Sequence, residues 1–427
     1  VTDHERPSVP YRILRVFAPF AVGYFMSYLF RTVNAVIADE LTASLGVTAA
    51  GLGFLTSAYF LAFGAFQAPL GILLDRYGPR RIETALLLVA AAGAALFAVG
   101  DGLATLAVGR ALIGVGVSAC LMAAITANVM WWPIERLPLV NGLFLASGGL
   151  GAVFATTPVR ALMAVTDWRG LFLALAVATA ACAALLYAVV PERPRRGATT
   201  THGTNQDATW GAMLRGTGRV FSSPVFWRQA PASVVVQGVF MTYMALWAGP
   251  WLRDVEGFDK AAVATHLQYA AMAMVAGYTG FALATDALRR RGLSPATVAN
   301  AGLLLATLAL AAMLAGLPVP PVVSWVLYPL FASASVLVYS VLSQNFPAEL
   351  AGRVNTAANL LMFAVAFSLQ WGLGSVIGTF PPGPQGGYAP EGHRLALLIV
   401  VALQAAALLW QLWPRRAPRA VLETPSP

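Results

Sequence analysis

Long apolar stretches alternate with short polar ones along the whole chain. Runs of about 20 apolar residues can cross a bilayer as helices. They fall near residues 15–38, 49–74, 82–100, 103–131, 138–163, 169–190, 227–252, 262–285, 295–316, 321–345, 354–379 and 394–413. The pattern predicts an all-α membrane protein of twelve transmembrane helices. The longest polar interruption, residues 191–226, is rich in Arg, Thr and Gly and divides the helices six and six. Two pseudo-symmetric six-helix bundles are therefore expected at 1–190 and 227–427, joined by a cytoplasmic linker at 191–226. Trp210, Met213, Leu214 and Phe221 share one helical face in that linker, which predicts a short helix lying at the membrane surface. The first apolar helix is longer than the core of a signal peptide and is expected to be retained.

One stretch breaks the pattern. Residues 24–38 read "YFMSYLFRTVNAVIA", with Arg31 in mid-span. A cation at that depth costs about 2.5–3.5 kcal/mol on insertion scales. Tyr24, Ser27, Tyr28, Arg31 and Asn34 recur at three- and four-residue steps, so the helix carries one polar stripe. Such a stripe faces protein or a water-filled cavity. Other mid-helix polar groups complete a candidate binding set: Tyr59, Gln67, Tyr243, Trp247, Gln268, Asn359 and Gln370. Tyr339 also lies mid-helix. Trp131, Trp132, Trp410 and Trp413 read as interfacial anchors.

Charge then fixes the orientation. Only 11% of residues are charged, against about 25% in a soluble domain, and mean hydropathy is +0.71. A net charge of +9 would suggest nucleic acid for a soluble protein. Here the arginines follow topology. With both termini cytoplasmic, that side collects Arg6, Arg12 and Arg15, the clusters at 76–81 and 289–291, the linker arginines, Arg136, Arg353 and the C-terminal group. The opposite side receives Arg160, Arg169, Arg253, Lys260 and Arg394, and only Arg31 and Arg110 lie inside helices. This is the positive-inside bias of an inner-membrane protein.

The halves also repeat. "PIERLPLVN" at 133–141 and "PAELAGRVN" at 347–355 share Pro, Glu, Val and Asn at equal spacing before corresponding helices. The loop after the second helix reads "GILLDRYGPRR". Gly71, Leu73, Asp75, Arg76, Gly78, Arg80 and Arg81 resemble the signature loop of the major facilitator superfamily, G-x-L-x-D-R-x-G-x-R-R. Gly71 would admit close helix approach, and Gly78 a tight turn. "GFALATDALRRRG", with Asp286, is a degenerate second copy. "GRALIGVGVSA" resembles the superfamily's fourth helix through Arg110, Gly114 and Gly116. Gly148, Gly149 and Gly151 give the fifth helix a small-residue packing face. The resemblance spans about residues 12–415.

That resemblance implies a secondary transporter working by alternating access. The helix-1 arginine, the "MWWP" ending helix 4 and "TDWRGLF" before helix 6 resemble the organic-anion and sugar-phosphate branches. Sugar-phosphate exchangers carry a second arginine in helix 7, where this chain has "QGVFMTYMALWAGPWL". A small carboxylate-type anion meeting Arg31 is the expected substrate. Export of amphipathic drugs, or ligand sensing on a transporter fold, are the rival functions.

Acidic residues, Glu83 and Asp101 among them, fall in loops or near helix ends, so any proton site is expected toward the outer ends, with Asp39 and Glu40 favoured, then Glu83 and Asp101, and with His266 and Arg110 as further candidates. Cys120 and Cys182 lie in apolar runs as packing residues. There is no nucleophile–base pair, phosphate loop or metal spacing, so no enzyme activity, cofactor or metal is expected. The expected partners are the anion, protons and lipid, with no nucleic acid, and the chain is expected to act as a monomer.

The motif places Asp75, Arg76, Arg80 and Arg81 at a gate between the halves, with Asp286 and Arg353 opposite. Asp75→Asn should slow transport while ligand affinity stays within a few-fold; transport at the normal rate would remove Asp75 from the gate.

Overall fold

Every predicted apolar run is helical. The computed structural model describes residues 8–133, 136–192, 218–346, 348–383 and 387–413. The first six passes are α1 (residues 9–45, with a turn at Val33), α2 (Ala49–Tyr77), α3 (Pro79–Val99), α4 (Leu103–Trp131), α5 (residues 137–162) and α6 (Trp168–Val189). The second six are α7 (Pro224–Asp254), α8 (Lys260–Arg289), α9 (Pro295–Leu314), α10 (residues 321–344), α11 (Ala348–Ile377) and α12 (Pro390–Leu412). An even number of passes puts the two ends of the described chain on one face, called here the termini-bearing face.

Turn chemistry sets the connections. Gly78 between α2 and α3 has φ of 81°, and Gly46 between α1 and α2 has φ of 62°. Only glycine adopts that region without strain, so the role expected for Gly78 is observed. Thr48 and Asp167 cap α2 and α6 by accepting from Gly51 N and Gly170 N.

The halves meet through α2 against α11, α5 against α8, and α1 against α7. Glycines bring these helices to backbone contact. A Cβ at Gly53 would strike the Gln370 carbonyl, one at Gly149 would strike Val275, and one at Gly249 would strike the Ala35 carbonyl. The close contacts of α2 with α11 run from Ala49 beside Gly374 to Gly64 beside Phe363. Toward the termini-bearing face they cease. A Cβ at Gly71 would meet nothing within 4 Å. Among the described residues no close helix approach is seen at Gly71. Outside, α3, α6, α9 and α12 turn Leu88, Val177, Leu185, Leu308 and Leu409 outward, the surface lipid requires.

Four further expectations need correction or placing. The fourth span is interrupted at Ser118 and Ala119. Gln67 Nε2 and Ser27 Oγ donate to the Ser118 and Val117 carbonyls, at 3.2 and 3.5 Å, and so satisfy backbone groups the break exposes. Trp132 is buried rather than interfacial, with the Arg12 guanidinium 5.0 Å from its ring. Glu83, grouped above with helix-end acids, is fully buried inside the first half. Of the proposed surface helix, Trp210, Met213 and Leu214 lie outside the described residues, and Phe221 ends a helical turn at 218–221.

The packing makes a stability contrast. At Gly114 a Cβ would collide with the Tyr59 backbone of α2. Gly114→Ala should cost about 1–3 kcal/mol by overpacking, read as a lowered thermal midpoint in detergent, whereas Gly71→Ala should stay within about 0.5 kcal/mol of the parent. Equal midpoints would show that α2 and α4 are not in backbone contact.

Candidate functional site

The polar stripe of α1 enters the seam between the halves. Arg31 is 8% exposed, and its Nε is buried with no hydrogen-bond partner. Its Cζ lies 4.7 Å from the Tyr28 ring and 5.2 Å from the Phe63 ring. Cation–π contact of this kind stabilises a guanidinium without neutralising it. Among the described residues no carboxylate acts on it; the neighbours that interact electrostatically are the phenols of Tyr59, Tyr28 and Tyr24.

Both halves contribute to the surrounding ring. Tyr24 stacks on Phe144 of α5 at 4.8 Å and meets Tyr28 edge-on at 5.1 Å. Gly148 of α5 makes room for both, since a Cβ there would strike the two rings. From the second half, Tyr278 of α8 and Tyr339 of α10 come close enough to interact with Tyr28 and Arg31. Tyr339 Oη donates to Asn359 Oδ1 of α11 at 3.2 Å. The cage is one fixed cation, five phenols and an amide, which can hold an anion and hydrogen-bond the rest of a polar molecule.

The predicted binding residues therefore divide. Arg31, Tyr24, Tyr28, Tyr59 and Asn359 gather in the cage. Asn34 instead donates to Thr56 Oγ1 at 3.1 Å, and Gln67 serves the α4 break. Tyr243 packs toward Trp325, with ring centroids 5.9 Å apart. Trp247 donates to the Gln370 carbonyl at 3.2 Å, and Gln268 accepts from Thr157 at 2.9 Å across the α5–α8 seam. The Gln370 amide is buried with neither atom bonded. Tyr278 and Phe63 escaped the sequence reading. Tyr278 stands three residues before Phe281 in an apolar run, and its only signal is that it is one of few tyrosines in mid-span.

Arg110 stands behind the cage. It is fully exposed to neither face, at 0%, and its NH1 donates to the Phe30 carbonyl at 3.2 Å. Its Cζ is 5.2 Å from the Tyr59 ring, which separates it from Arg31. Its Nε and NH2 are buried without partners.

At the far face the halves are fastened by charge. Asp39 of α1 pairs with Arg253 of α7, and Glu40 of α1 accepts from Lys260 of α8 at 2.8 Å and from Arg160 of α5 at 2.6 Å. Arg253 also pairs with Asp254, which accepts from Tyr388 N at 3.1 Å and meets His393 Nε2 at 3.0 Å. His266, by contrast, stacks on Phe258 at 4.4 Å and bonds the Ala262 carbonyl at 2.7 Å. At the other face, Arg80 donates twice to the Tyr187 carbonyl of α6, and Arg81 pairs with Glu192. These two motif arginines thus bind within their own half. Arg76 lies over Tyr77 and Arg353 is half-buried near the start of α11, while the side chains of Asp75 and Asp286 lie outside the described ones.

Comparison with known proteins agrees with this architecture. The family model described as Major Facilitator Superfamily matches residues 20–370. A probable sulfoacetate transporter of Cupriavidus necator is 23% identical over 283 residues, 63% of this chain and 64% of that one. A probable L-galactonate transporter of Escherichia coli is 27% identical over 152 residues, 36% of this chain and 34% of that one. The chain thus spans less than two thirds of these relatives' own lengths. Among solved structures, a bacterial homolog of the human lysosomal transporter Spinster, inward-facing and unoccupied, overlays with a TM-score of 0.77 at 17% identity, covering 95% of this chain and 97% of that one.

The far-face contacts carry a pH dependence. Burial pushes the Glu40 carboxyl up, but hydrogen bonds from Lys260 and Arg160 outweigh it and hold the group below its usual value. Its contribution to closure is therefore complete above the ordinary carboxylate range and is lost as pH falls through the lowered value. Distance measurements between spin labels across the far face should show a step of separation in acid for the parent protein, and that acid step should be missing from Glu40→Gln, whose far face is already loosened at neutral pH. No difference between the two proteins would remove Glu40 from the closure.

Proposed function

Because the chain belongs to the major facilitator superfamily, we propose that it carries a small organic anion, of carboxylate or sulfonate type, by alternating access across an inner membrane. Its termini then face the cytoplasm and protons are the coupling ion. The observation that carries this reading is Arg31, a permanent cation buried without an acidic partner in a ring drawn from both halves.

A guanidinium does not shed its proton at working pH. Tyrosine faces and hydroxyls make the empty site tolerable. An arriving carboxylate or sulfonate adds a two-pronged, charge-assisted pair on top of that. The uncharged part of the molecule then meets Tyr278, Tyr339 and Asn359 on the opposite half. A ligand that bonds both halves favours their approach around it, and that differential affinity shifts the equilibrium between conformations. In the conformation described, the far face is fastened by Asp39–Arg253 and Glu40–Lys260, so loading and release occur toward the termini-bearing face. The relatives named for sulfoacetate and galactonate support an anionic substrate. The aromatic lining alone would suit an exporter of amphipathic drugs, but a lone fixed cation repels hydrophobic cations.

The test is Arg31→Lys, with sulfoacetate and galactonate as probes. Lysine keeps the charge and loses the planar fork, so affinity should fall by about 1–3 kcal/mol, measured by ligand-induced thermal shift, while the ligand-free midpoint stays close to the parent value. If Arg31 only holds helices together, the ligand-free midpoint drops instead. A stable Arg31→Ala protein with parental affinity for either probe would end the substrate assignment.

A further inference from the structure

Glu83 has no place in the scheme above, and its surroundings are unlike those of any other acid among the described residues. It lies in the second turn of α3, fully buried, with no nitrogen or oxygen donor on either carboxyl oxygen among the described residues and only the weakly donating Cys120 thiol beside it. α1 faces it with Gly23, where a Cβ would overlap Oε1. Among the described residues the titratable groups facing it are the thiols of Cys120 on α4 and Cys182 on α6, and no basic side chain acts on it. It is therefore neither a helix cap nor half of an ion pair. A carboxylate charge sealed among apolar atoms with nothing to pair it is costly. An ionisable side chain at such a position within a transporter calls for a functional account.

We propose that Glu83 is the proton-binding site of this carrier, neutral in the sealed state described here and emptied when the first half rearranges. The inference rests on the proton-coupled transporter reading and replaces Asp39 and Glu40 as the coupling group, since those two are held by far-face cations.

The route is short. Glu83 stands four residues into α3, about 6 Å along the helix from Pro79 at 1.5 Å per residue, so a proton reaches it from the termini-bearing face. The link to the cage is α1. Gly23 precedes Arg31 by eight residues, about 12 Å along the same helix, and Ser27 between them donates to Val117 just before the break in α4. Cys120 opens the helix after that break. Releasing the proton leaves a carboxylate that must find water or a donor. The backbone groups freed at Ser118–Ala119 and the small contact at Gly23 are the places where α1 and α4 can yield to let it. Movement of α1 displaces Arg31, so proton occupancy at Glu83 and anion occupancy at Arg31 act on one another through a shared helix, and by linkage reciprocally.

The experiment uses the full chain reconstituted in lipid, in two readouts that need no substrate. Infrared difference spectroscopy against pH should show a protonated-carboxyl band that titrates, shifted in Glu83→Asp and lost in Glu83→Gln. Spin labels at Val165 and Leu317, exposed on far-face loops of the two halves, should report a separation that changes over the same pH interval in the parent and not in Glu83→Gln. The Glu40 contacts respond only in acid, so the two effects separate. With sulfoacetate in proteoliposomes, uphill uptake relative to exchange should fall about tenfold or more in Glu83→Gln, at the lower end of couplings measured between sites. An infrared spectrum unchanged by substitution at Glu83, or an opening over the interval of the parent's carboxyl band that persists in Glu83→Gln, overturns the proposal. If the parent carries neither sulfoacetate nor galactonate, the substrate reading fails, and the two substrate-free readouts still decide Glu83.

Discussion

The structure turns on a charge that is not compensated. Arg31 is buried in mid-span with tyrosine and phenylalanine faces around it and, among the described residues, no carboxylate beside it. A structural arginine in such a setting would be expected to have found an acid, because a paired charge is far cheaper to bury than a free one. Five phenols and Asn359 give partial solvation instead, and they come from both halves. The site is thereby left short of negative charge, and that deficit is what an anion would supply.

How the halves are held explains how such a deficit can do mechanical work. On the far side, glycines let α2 meet α11 and α7 meet α1 at backbone distance, and ion pairs cross between α1 and α7 and α8. On the other side the close contacts stop beyond Gly64, and Arg80 and Arg81 are occupied by α6 of their own half. The far contacts are polar and partly solvated, so they can be exchanged for others at modest cost. The glycine contacts are rigid and shape-matched. Two bodies joined by a firm seam at one end and free at the other can rock about that seam.

Much of this was legible in the sequence because membranes constrain it strongly. Twelve apolar runs, the break at 191–226 and the turn at Gly78 follow from bilayer thickness and backbone sterics. Arg31, Tyr24 and Tyr28 were legible as a stripe because a helix spaces them onto one face. Tyr278 was not, since one tyrosine in an apolar helix has no periodic companion. Asn34 and Gln268 read as cavity residues but hydrogen-bond neighbouring helices, and Tyr243 packs toward Trp325, because periodicity gives the face of a helix and not what that face meets. Glu83 misled for a related reason. Its distance from the helix start suggested a wet position, whereas Gly23 allows α1 to close over it.

These placements give the halves different work. Among the described residues the buried ionisable groups of the second half, Asp254 and His393, pair with each other at the far face, whereas Arg31, Arg110 and Glu83, buried with no opposite charge beside them, belong to the first half. At the cage the second half offers Tyr278, Tyr339 and Asn359, neutral groups that hydrogen-bond without a formal charge. Deeper in that half the polar groups form their own network, such as Thr307 with Gln404 at 3.0 Å. A duplicated fold needs no such asymmetry, and the repeat at 133–141 and 347–355 gives the two halves matching sequence at corresponding loops. The division follows from energy. Charges in a low-dielectric interior interact over longer distances than hydrogen bonds do, so an anion at Arg31 and a proton at Glu83 influence each other best when they share one rigid body. Hydrogen-bonding groups act only on contact, so they are best placed on the body that must arrive. The first half then senses charge, and the second half senses shape.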